Sequence, residues 1–203
     1  MEKIKPDLYT IGYSPHSLED FMEILKHHSI TALVDVRSQP YSAYRPEYNY
    51  KNLKEALPEH GLQYVFLGRE LGARFEDDSV YIEGRADYDK IAGHHLFHEG
   101  MNRLKEFTRD NTVVLMCAEK DPLTCHRTIL ISRHLKSNCR ILHILSDAGL
   151  ERHEKTEKRL LKAFDLDQSE LPGIGRSLEE RLEIAYAKQC NKIACKSNKS
   201  SQD

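Results

Sequence analysis

The chain has 203 residues, 39% of them hydrophobic and 31% charged, which suits one compact domain with a substantial core and argues against two independent domains. No apolar run approaches the roughly 20 residues that a membrane span needs, and the first residues lack the apolar core of a secretion signal, so we expect no membrane insertion and a cytoplasmic location. The formal net charge of -2 excludes a domain that binds nucleic acid through its overall charge.

Strands and helices alternate along the first part of the chain. In chain order, the pattern predicts a strand at 8–13, a helix at 18–28, a strand at 31–36, a helix at 52–60 that ends at Gly61, and a strand at 63–67. The run at 31–36 is apolar except for Asp35, which is typical of a parallel strand covered on both faces. The segment 68–93 has no periodicity and is predicted to be a functional loop or lid.

The alternation continues in the second part. The pattern predicts a helix at 96–109, a strand at 111–116, a helix at 122–136, a strand at 140–145, and helices at 150–164 and 178–192. Asp121 before Pro122 is a suitable cap for the helix at 122–136. A polar tail at 196–203 is expected to be disordered.

This order favours an α/β fold, with a single domain over residues 1–195 and a mostly parallel sheet of about five strands flanked by helices. In such sheets the ligand site lies beyond the carboxyl ends of the strands. Polar candidates follow four of these ends, and they are Tyr13, Ser14, Arg37, Ser38, Arg69, Cys117 and Glu119.

The segment 116–127 carries the groups that suggest chemistry. Five cysteines are an odd count in a mid-sized chain, which favours reduced thiols over a disulfide framework. Cys117 is a candidate nucleophile because a thiol near a helix start tends toward thiolate, although a small buried hydrophobe explains it equally well. His126 is a candidate general acid or base, Glu119 is a further catalytic candidate, and Cys125 is assigned to ligand binding or to structure.

Arg127 is predicted to lie on the buried side of its helix, where a guanidinium needs a partner. Asp35 is the natural choice if the two strands are neighbours, so we predict a structural Asp35–Arg127 pair. A metal site at Cys117, Cys125 and His126 is not expected, because no fourth ligand stands at a customary spacing and Cys-x-x-Cys is absent.

Arginines and tyrosines are concentrated in the irregular segments, a combination that suits phosphates and bases. The arginines are Arg37, Arg45, Arg69, Arg74 and Arg85, and the tyrosines include Tyr41 and Tyr44. Arg37 and Arg45 are the preferred ligand-binding residues. Tyr13, Ser14, Ser38 and Arg69 complete the predicted binding set, with a solvated loop surface as the alternative for each arginine.

Several motifs together resemble one family. They are YTIGYS at 9–14, LVDVRS at 33–38, YVFLG at 64–68, LG at 71–72 and LMCAEKDPLTCHR at 115–127. In this combination they resemble the domain of unknown function 488 in its longer form, over nearly the whole chain. The resemblance implies an α/β fold and a shared site, but no reaction.

Two functions remain open from the sequence. The first is an enzyme or enzyme-like domain that binds an anionic, nucleotide-like or nucleic-acid substrate at the strand ends, with thiol chemistry and no cofactor. The alternative is a non-catalytic module that binds nucleotide or nucleic acid through arginines and tyrosines. In both cases the expected partner is an anionic small molecule, a nucleotide or a nucleic acid.

Overall fold

The core of the molecule is a sheet whose short strands come from apolar runs of the sequence. Helices connect these strands, and helical connections make neighbouring strands parallel. The computed structural model describes residues 5–168 and 175–197. In chain order its strands are β1 (Asp7–Gly12), β2 (Ala32–Asp35), β3 (Gln63–Phe66), β4 (Tyr81–Ile82), β5 (Arg85–Ala86), β6 (Val113–Cys117), β7 (Arg140–Ile144) and β8 (Leu150–Arg152). Six of the described strands form the sheet, in the order β3-β2-β6-β1-β7-β8, and β4 pairs with β5 in a hairpin. Neighbours in the sheet are parallel except β8, which is antiparallel to β7.

Helices fill the connections between the strands. They are α1 (Leu18–His27), α2 (Tyr50–Glu59), α3 (Gly68–Leu71), α4 (Tyr88–Gly93), α5 (His95–Phe107), α6 (Arg133–Leu135), α7 (His153–Ala163) and α8 (Leu178–Ile193), with a π-helical segment (Arg127–Ser132) before α6. Side-chain caps fix some of the starts: Ser17 accepts a hydrogen bond from the Asp20 amide, and Ser177 forms a capping box with Glu180. No helix in the described ranges is long and apolar enough to cross a membrane.

Apolar side chains cover both faces of the sheet, because successive residues of a strand point to opposite sides. In β2, Val34 packs into the cluster that includes residues of α5, α7 and α8. Its neighbour Leu33 packs into the cluster with residues of α1 and α2. The predicted α/β fold, with a mostly parallel sheet flanked by helices, is therefore confirmed.

Three elements differ from the prediction. The helix expected at 122–136 begins at Arg127, because Asp121 and Pro122 start only a short 3-10 turn and Cys125 is extended. The stretch at 150–152, expected to be helical, forms the edge strand β8. The segment 68–93 contains α3, α4 and the hairpin. The predicted tail lies outside the described residues from 198 onward.

The register of the central strands brings the predicted site together. In neighbouring strands, Gly12 of β1 is paired with Cys117 of β6, and Asp35 of β2 with Met116. The chain after β6 then passes directly over Gly12, where an added Cβ would lie 1.8 Å from the Glu119 carbonyl oxygen. Glycine at this position therefore allows the loop after Cys117 to lie against β1.

Candidate functional site

A pocket of about 310 Å³ opens at the carboxyl ends of the central strands. It gathers seven of the residues predicted from the sequence, namely Tyr13, Arg37, Ser38, Cys117, Glu119, Cys125 and His126. The pocket therefore lies at the edge of the sheet where parallel strands usually present a ligand site.

Two thiols and an imidazole meet in the wall of the pocket. Cys117 is the last residue of β6, and Cys125 and His126 lie at the far end of the loop that follows. The Sγ atoms of Cys117 and Cys125 lie 3.7 Å and 3.8 Å from Nδ1 of His126. All three side chains are buried. We call this group the Cys-Cys-His cluster.

The orientation of His126 is fixed by the backbone of the neighbouring strand. Its Nε2 lies 3.0 Å from the carbonyl oxygen of Val36. Because that oxygen can only accept, Nε2 carries the proton and donates. The lone pair of Nδ1 is thereby directed at the two sulfur atoms.

The two thiols of the Cys-Cys-His cluster are electrostatically different. A hydrogen bond between Cys117 and Cys125 raises the pKa of Cys117, and burial raises this pKa further. Burial acts to raise the pKa of Cys125 as well, but the bond with Cys117 and the Arg127 charge lower it well below its ordinary value. These shifts favour loss of the proton from Cys125 over loss from Cys117, whereas the sequence favoured Cys117 as the nucleophile.

The predicted Asp35–Arg127 pair is wrong. The carboxylate of Asp35 instead accepts from Nε and Nη2 of Arg37, at 2.9 Å and 2.6 Å, and from the Tyr64 hydroxyl at 2.8 Å. The chain turns immediately after β2, so the arginine two residues beyond Asp35 folds back onto it. Arg37, predicted to bind substrate, is thus an ion-pair partner as well as a pocket residue.

Arg127 is fully buried, as its helical position indicated, but it serves the loop. Its Nη1 and Nη2 donate to the carbonyl oxygens of Glu119 and Lys120, at 2.7 Å and 3.3 Å. These bonds hold the loop between Cys117 and Cys125 against the sheet. Arg127 therefore fixes the backbone that carries both thiols.

One guanidinium nitrogen of Arg37 has no hydrogen-bond partner among the described residues. Asp35 and the Tyr48 carbonyl oxygen occupy Nε and Nη2, and Nη1 has no hydrogen-bond partner in the part of the chain that the structure describes. The guanidinium lies 5.0 Å from the centre of the Tyr13 ring. Burial acts to lower the pKa of Arg37, but hydrogen bonding and the charge of Asp35, with a smaller contribution from Tyr13, raise it above its ordinary value.

Three predicted binding residues lie outside the pocket lining. Arg45 donates to Glu47 and to the carbonyl oxygens of Ser14 and His16, so its guanidinium ties the turn after β1 to the loop after β2. Ser14 contributes only its backbone carbonyl oxygen to this contact. Arg69 belongs to α3 and lines a neighbouring pocket.

Several residues of the pocket were not predicted from the sequence. The pocket is also lined by Tyr88 of α4, by Ile193 at the end of α8 and by Cys195 just after it, all far from the motifs along the chain. No local pattern identifies them, because only the packing of α8 brings its end to this edge. Arg74, one of the arginines that the sequence singled out, also lies in the pocket lining, and its backbone amide donates to the Ser38 hydroxyl at 2.9 Å.

Comparison with known proteins gives one match. A sequence profile described as domain of unknown function DUF488 matches residues 17–134, which is more than half of the chain. The matched range contains Arg37 and the Cys-Cys-His cluster. No curated protein and no solved structure matches the chain.

Proposed function

The chain belongs to the DUF488 family, and because the family's description names no reaction, we propose a function from the site: an enzyme that binds a phosphate-bearing ligand of the nucleotide class at the strand ends. The pocket beside Arg37 receives the anionic group, and the Cys-Cys-His cluster supplies the reacting groups. The proposal includes a cytoplasmic location, where free thiols persist.

The observation that supports this most is the state of Arg37. It is 5% exposed, lines the pocket and keeps Nη1 without an acceptor among the described residues. A buried donor without a partner costs about 1–3 kcal/mol, so an anionic oxygen that reaches Nη1 gains a hydrogen bond in addition to charge attraction. Nη1 is covered in this structure, so the ligand must displace a neighbouring side chain to reach it.

A second cation and the size of the pocket suit a phosphate group. Arg74 is exposed in the pocket lining, and its backbone is fixed by Ser38. The volume of about 310 Å³ lies at the lower end of ligand pockets, which measure about 300–1,000 Å³. It suits one or two phosphate groups, with the rest of the ligand outside.

Exposed tyrosines in the segment after β2 favour a nucleotide over free phosphate. Tyr41, which lines the pocket, is 73% exposed, and Tyr44 is 94% exposed. Aromatic faces of this kind stack on bases with little sequence preference. The same observation favours the second candidate, a non-catalytic module that binds a nucleotide or a single strand.

The Cys-Cys-His cluster supports an enzyme over the module. Binding of a phosphate and a base needs donors and aromatic faces, and neither needs two buried thiols directed at an imidazole nitrogen. Groups that transfer protons or donate electron pairs are instead the usual contents of catalytic pockets.

Thermal unfolding with phosphate, pyrophosphate and nucleotides tests the binding. A ligand at about one hundred times its dissociation constant should stabilise the wild type by roughly 2.7 kcal/mol. Arg37→Lys keeps a charge beside Asp35 but removes the fork, and Arg74→Ala removes the second cation, so both should weaken the stabilisation. Arg109→Ala is the matched control, since it is exposed at the opposite edge of the sheet. Equal stabilisation of all four proteins, or of none, would refute the proposed site.

Product analysis separates the two candidates. After incubation with the nucleotides that stabilise the protein, the enzyme predicts a new product that His126→Gln no longer forms. The module predicts that the nucleotides are recovered unchanged from both proteins.

A further inference from the structure

The distances within the Cys-Cys-His cluster are close to those of a metal site. The three ligand atoms lie within 4.8 Å of one another, and the two sulfur-to-Nδ1 distances are 3.7 Å and 3.8 Å. Tetrahedral zinc, with bonds of about 2.3 Å to sulfur and about 2.0–2.1 Å to nitrogen, separates such ligands by about 3.6 Å. Only small side-chain movements would bring all three atoms to one ion.

The backbone prepares His126 for this role. Metal-bound histidines usually donate their second ring N–H to a carbonyl or carboxylate, which directs the other nitrogen at the ion. Here Nε2 donates to the Val36 carbonyl oxygen at 3.0 Å, so the free lone pair of Nδ1 faces both sulfur atoms. The bond comes from the chain just after β2, on the rigid sheet.

The loop between the two cysteines is held independently of any ion. Arg127 donates to the carbonyl oxygens of Glu119 and Lys120, and Gly12 lets this loop approach β1. The cysteines are therefore positioned by a buried guanidinium and a glycine contact. A preformed site of this kind loses little conformational entropy when the ion binds.

We propose that Cys117, Cys125 and His126 bind one zinc-class divalent ion, with its fourth coordination position facing the pocket beside Arg37. Three protein ligands with an open position are the arrangement of catalytic zinc, whereas structural sites use four. The fourth position takes water or an oxygen of the anionic ligand, and the ion acts there as a Lewis acid. That last role rests on the proposed function, whereas binding of the ion does not.

A metal ion at the Cys-Cys-His cluster was not expected from the sequence. The sequence shows neither a Cys-x-x-Cys pair nor a fourth ligand at a customary spacing, and both observations still hold. A site with an open position needs no fourth protein ligand, and the fold supplies the proximity of Cys117 to Cys125 that sequence spacing leaves undetermined.

Metal titration of the reduced, chelator-treated protein tests the proposal, with Zn²⁺ or Co²⁺ alone and no phosphate. We expect one ion per chain with an affinity tighter than micromolar, and thiolate-to-cobalt absorption with the visible bands of tetrahedral Co²⁺. Removal of any one ligand should weaken ion binding more than about 100-fold, which exceeds the loss expected when a residue that only hydrogen-bonds a metal ligand is removed. The three variants are Cys117→Ser, Cys125→Ser and His126→Gln. Cys195→Ser is the matched control, a cysteine of the same pocket outside the ligand set.

Several results of this titration would overturn the proposal. These outcomes are a reduced, folded wild type that binds no ion, a Cys117–Cys125 disulfide in the protein isolated under reducing conditions, and binding that survives all three substitutions. Loss of the ion from Cys195→Ser would overturn the three-ligand assignment. If a ligand variant does not fold, the cobalt spectrum of the wild type decides, and absence of sulfur-ligated bands overturns the site.

The anion and metal experiments fail independently. Arg37→Lys retains all three metal ligands, so it should bind Co²⁺ as the wild type does while losing stabilisation by phosphate. Ion binding without anion binding would refute the proposed function alone, and the reverse result would refute the metal site alone.

Discussion

Asp35 and Arg37 form a buried bidentate ion pair across two residues of one strand end, with contacts of 2.9 Å and 2.6 Å. Asp35 is fully buried and Arg37 is 5% exposed. The pair positions the guanidinium at the floor of the pocket, and it couples ligand binding to the stability of β2.

The first prediction concerns this pair. Arg37→Ala leaves the Asp35 carboxylate buried without its cation, and it should lower the free energy of unfolding by about 3–5 kcal/mol. Arg37→Lys retains a charge and should cost less, although it loses the fork. Denaturant unfolding at neutral pH measures both. A cost below about 1 kcal/mol for Arg37→Ala would contradict the buried pair.

A double-mutant cycle separates this pair from the one expected from the sequence. Asp35→Asn and Arg37→Met should show a coupling energy of about 0.5–3 kcal/mol. Asp35→Asn and Arg127→Met share no hydrogen-bond partner in the described structure, so their costs should add within about 0.5 kcal/mol. The opposite pattern would restore the Asp35–Arg127 pair.

The second prediction concerns the glycine under the loop. An alanine Cβ at position 12 would lie 1.8 Å from the Glu119 carbonyl oxygen and 2.7 Å from its carbon. Because both are backbone atoms, the loop itself must shift, and Gly12→Ala should cost about 3 kcal/mol or more.

Gly93→Ala is the control for this effect. Nothing lies within 4 Å of the added Cβ in α4, so this variant should be neutral or more stable by about 0.4–1 kcal/mol. Chemical denaturation measures both variants, and Gly12→Ala should also lose the thermal stabilisation by nucleotides. Similar stabilities for the two variants would show that the loop does not depend on Gly12.

A buried chain of hydrogen bonds gives the third prediction. Tyr186 donates to Glu157, so His153 Nε2 donates to Tyr186, His143 Nε2 donates to His153 Nδ1, and the Thr10 hydroxyl donates to His143 Nδ1. Every ring nitrogen is thus used by the neutral imidazoles, and an added proton has no acceptor in this chain.

The pKa values of both histidines follow from this burial. Burial lowers the pKa of His143 well below its ordinary value, and it lowers that of His153 as well. The titratable and charged groups that act on His143 are His153, Arg127 and Arg159, and those that act on His153 are Glu157, Lys136 and Glu154. The unfolded chain therefore binds more protons than the folded protein below the unfolded histidine pKa of about 6.5.

Stability should consequently be constant with respect to these groups above about pH 6.5 and fall as the pH drops toward the folded pKa values. Urea unfolding of the chelator-treated protein at neutral and mildly acidic pH measures the change. His143→Asn removes one of the two groups, so its stability should depend less on pH over this window. A wild type that gains stability on acidification, or a variant with the same slope, would contradict the neutral pair.

The sequence predicted a candidate site at the edge of the sheet where the pocket lies, for a physical reason. Apolar runs separated by helices force parallel neighbours, and the carboxyl ends of parallel strands meet. The positions of Tyr13, Arg37 and Cys117 follow from this topology alone. The burial of Arg127 follows from its place on the apolar side of a helix.

Two features could not be predicted from the sequence: which buried charges pair, and which distant residues line the pocket. Burial indicates that Asp35 and Arg127 each need a partner, but it does not distinguish a partner two residues away from one on the next strand. The start at Asp121 and Pro122 is a real helix signal, yet it is satisfied by one 3-10 turn. Cys195 reaches the pocket through the packing of α8, which no local pattern encodes.

The central claim is that an anion binds in this pocket, and crystallographic location of a heavy phosphate analogue tests it most directly. Crystals soaked in tungstate should show anomalous density in the pocket, within hydrogen-bonding distance of Arg37, at concentrations where the Arg37→Lys protein shows none. Density absent from the pocket, or unchanged in Arg37→Lys, would contradict the account.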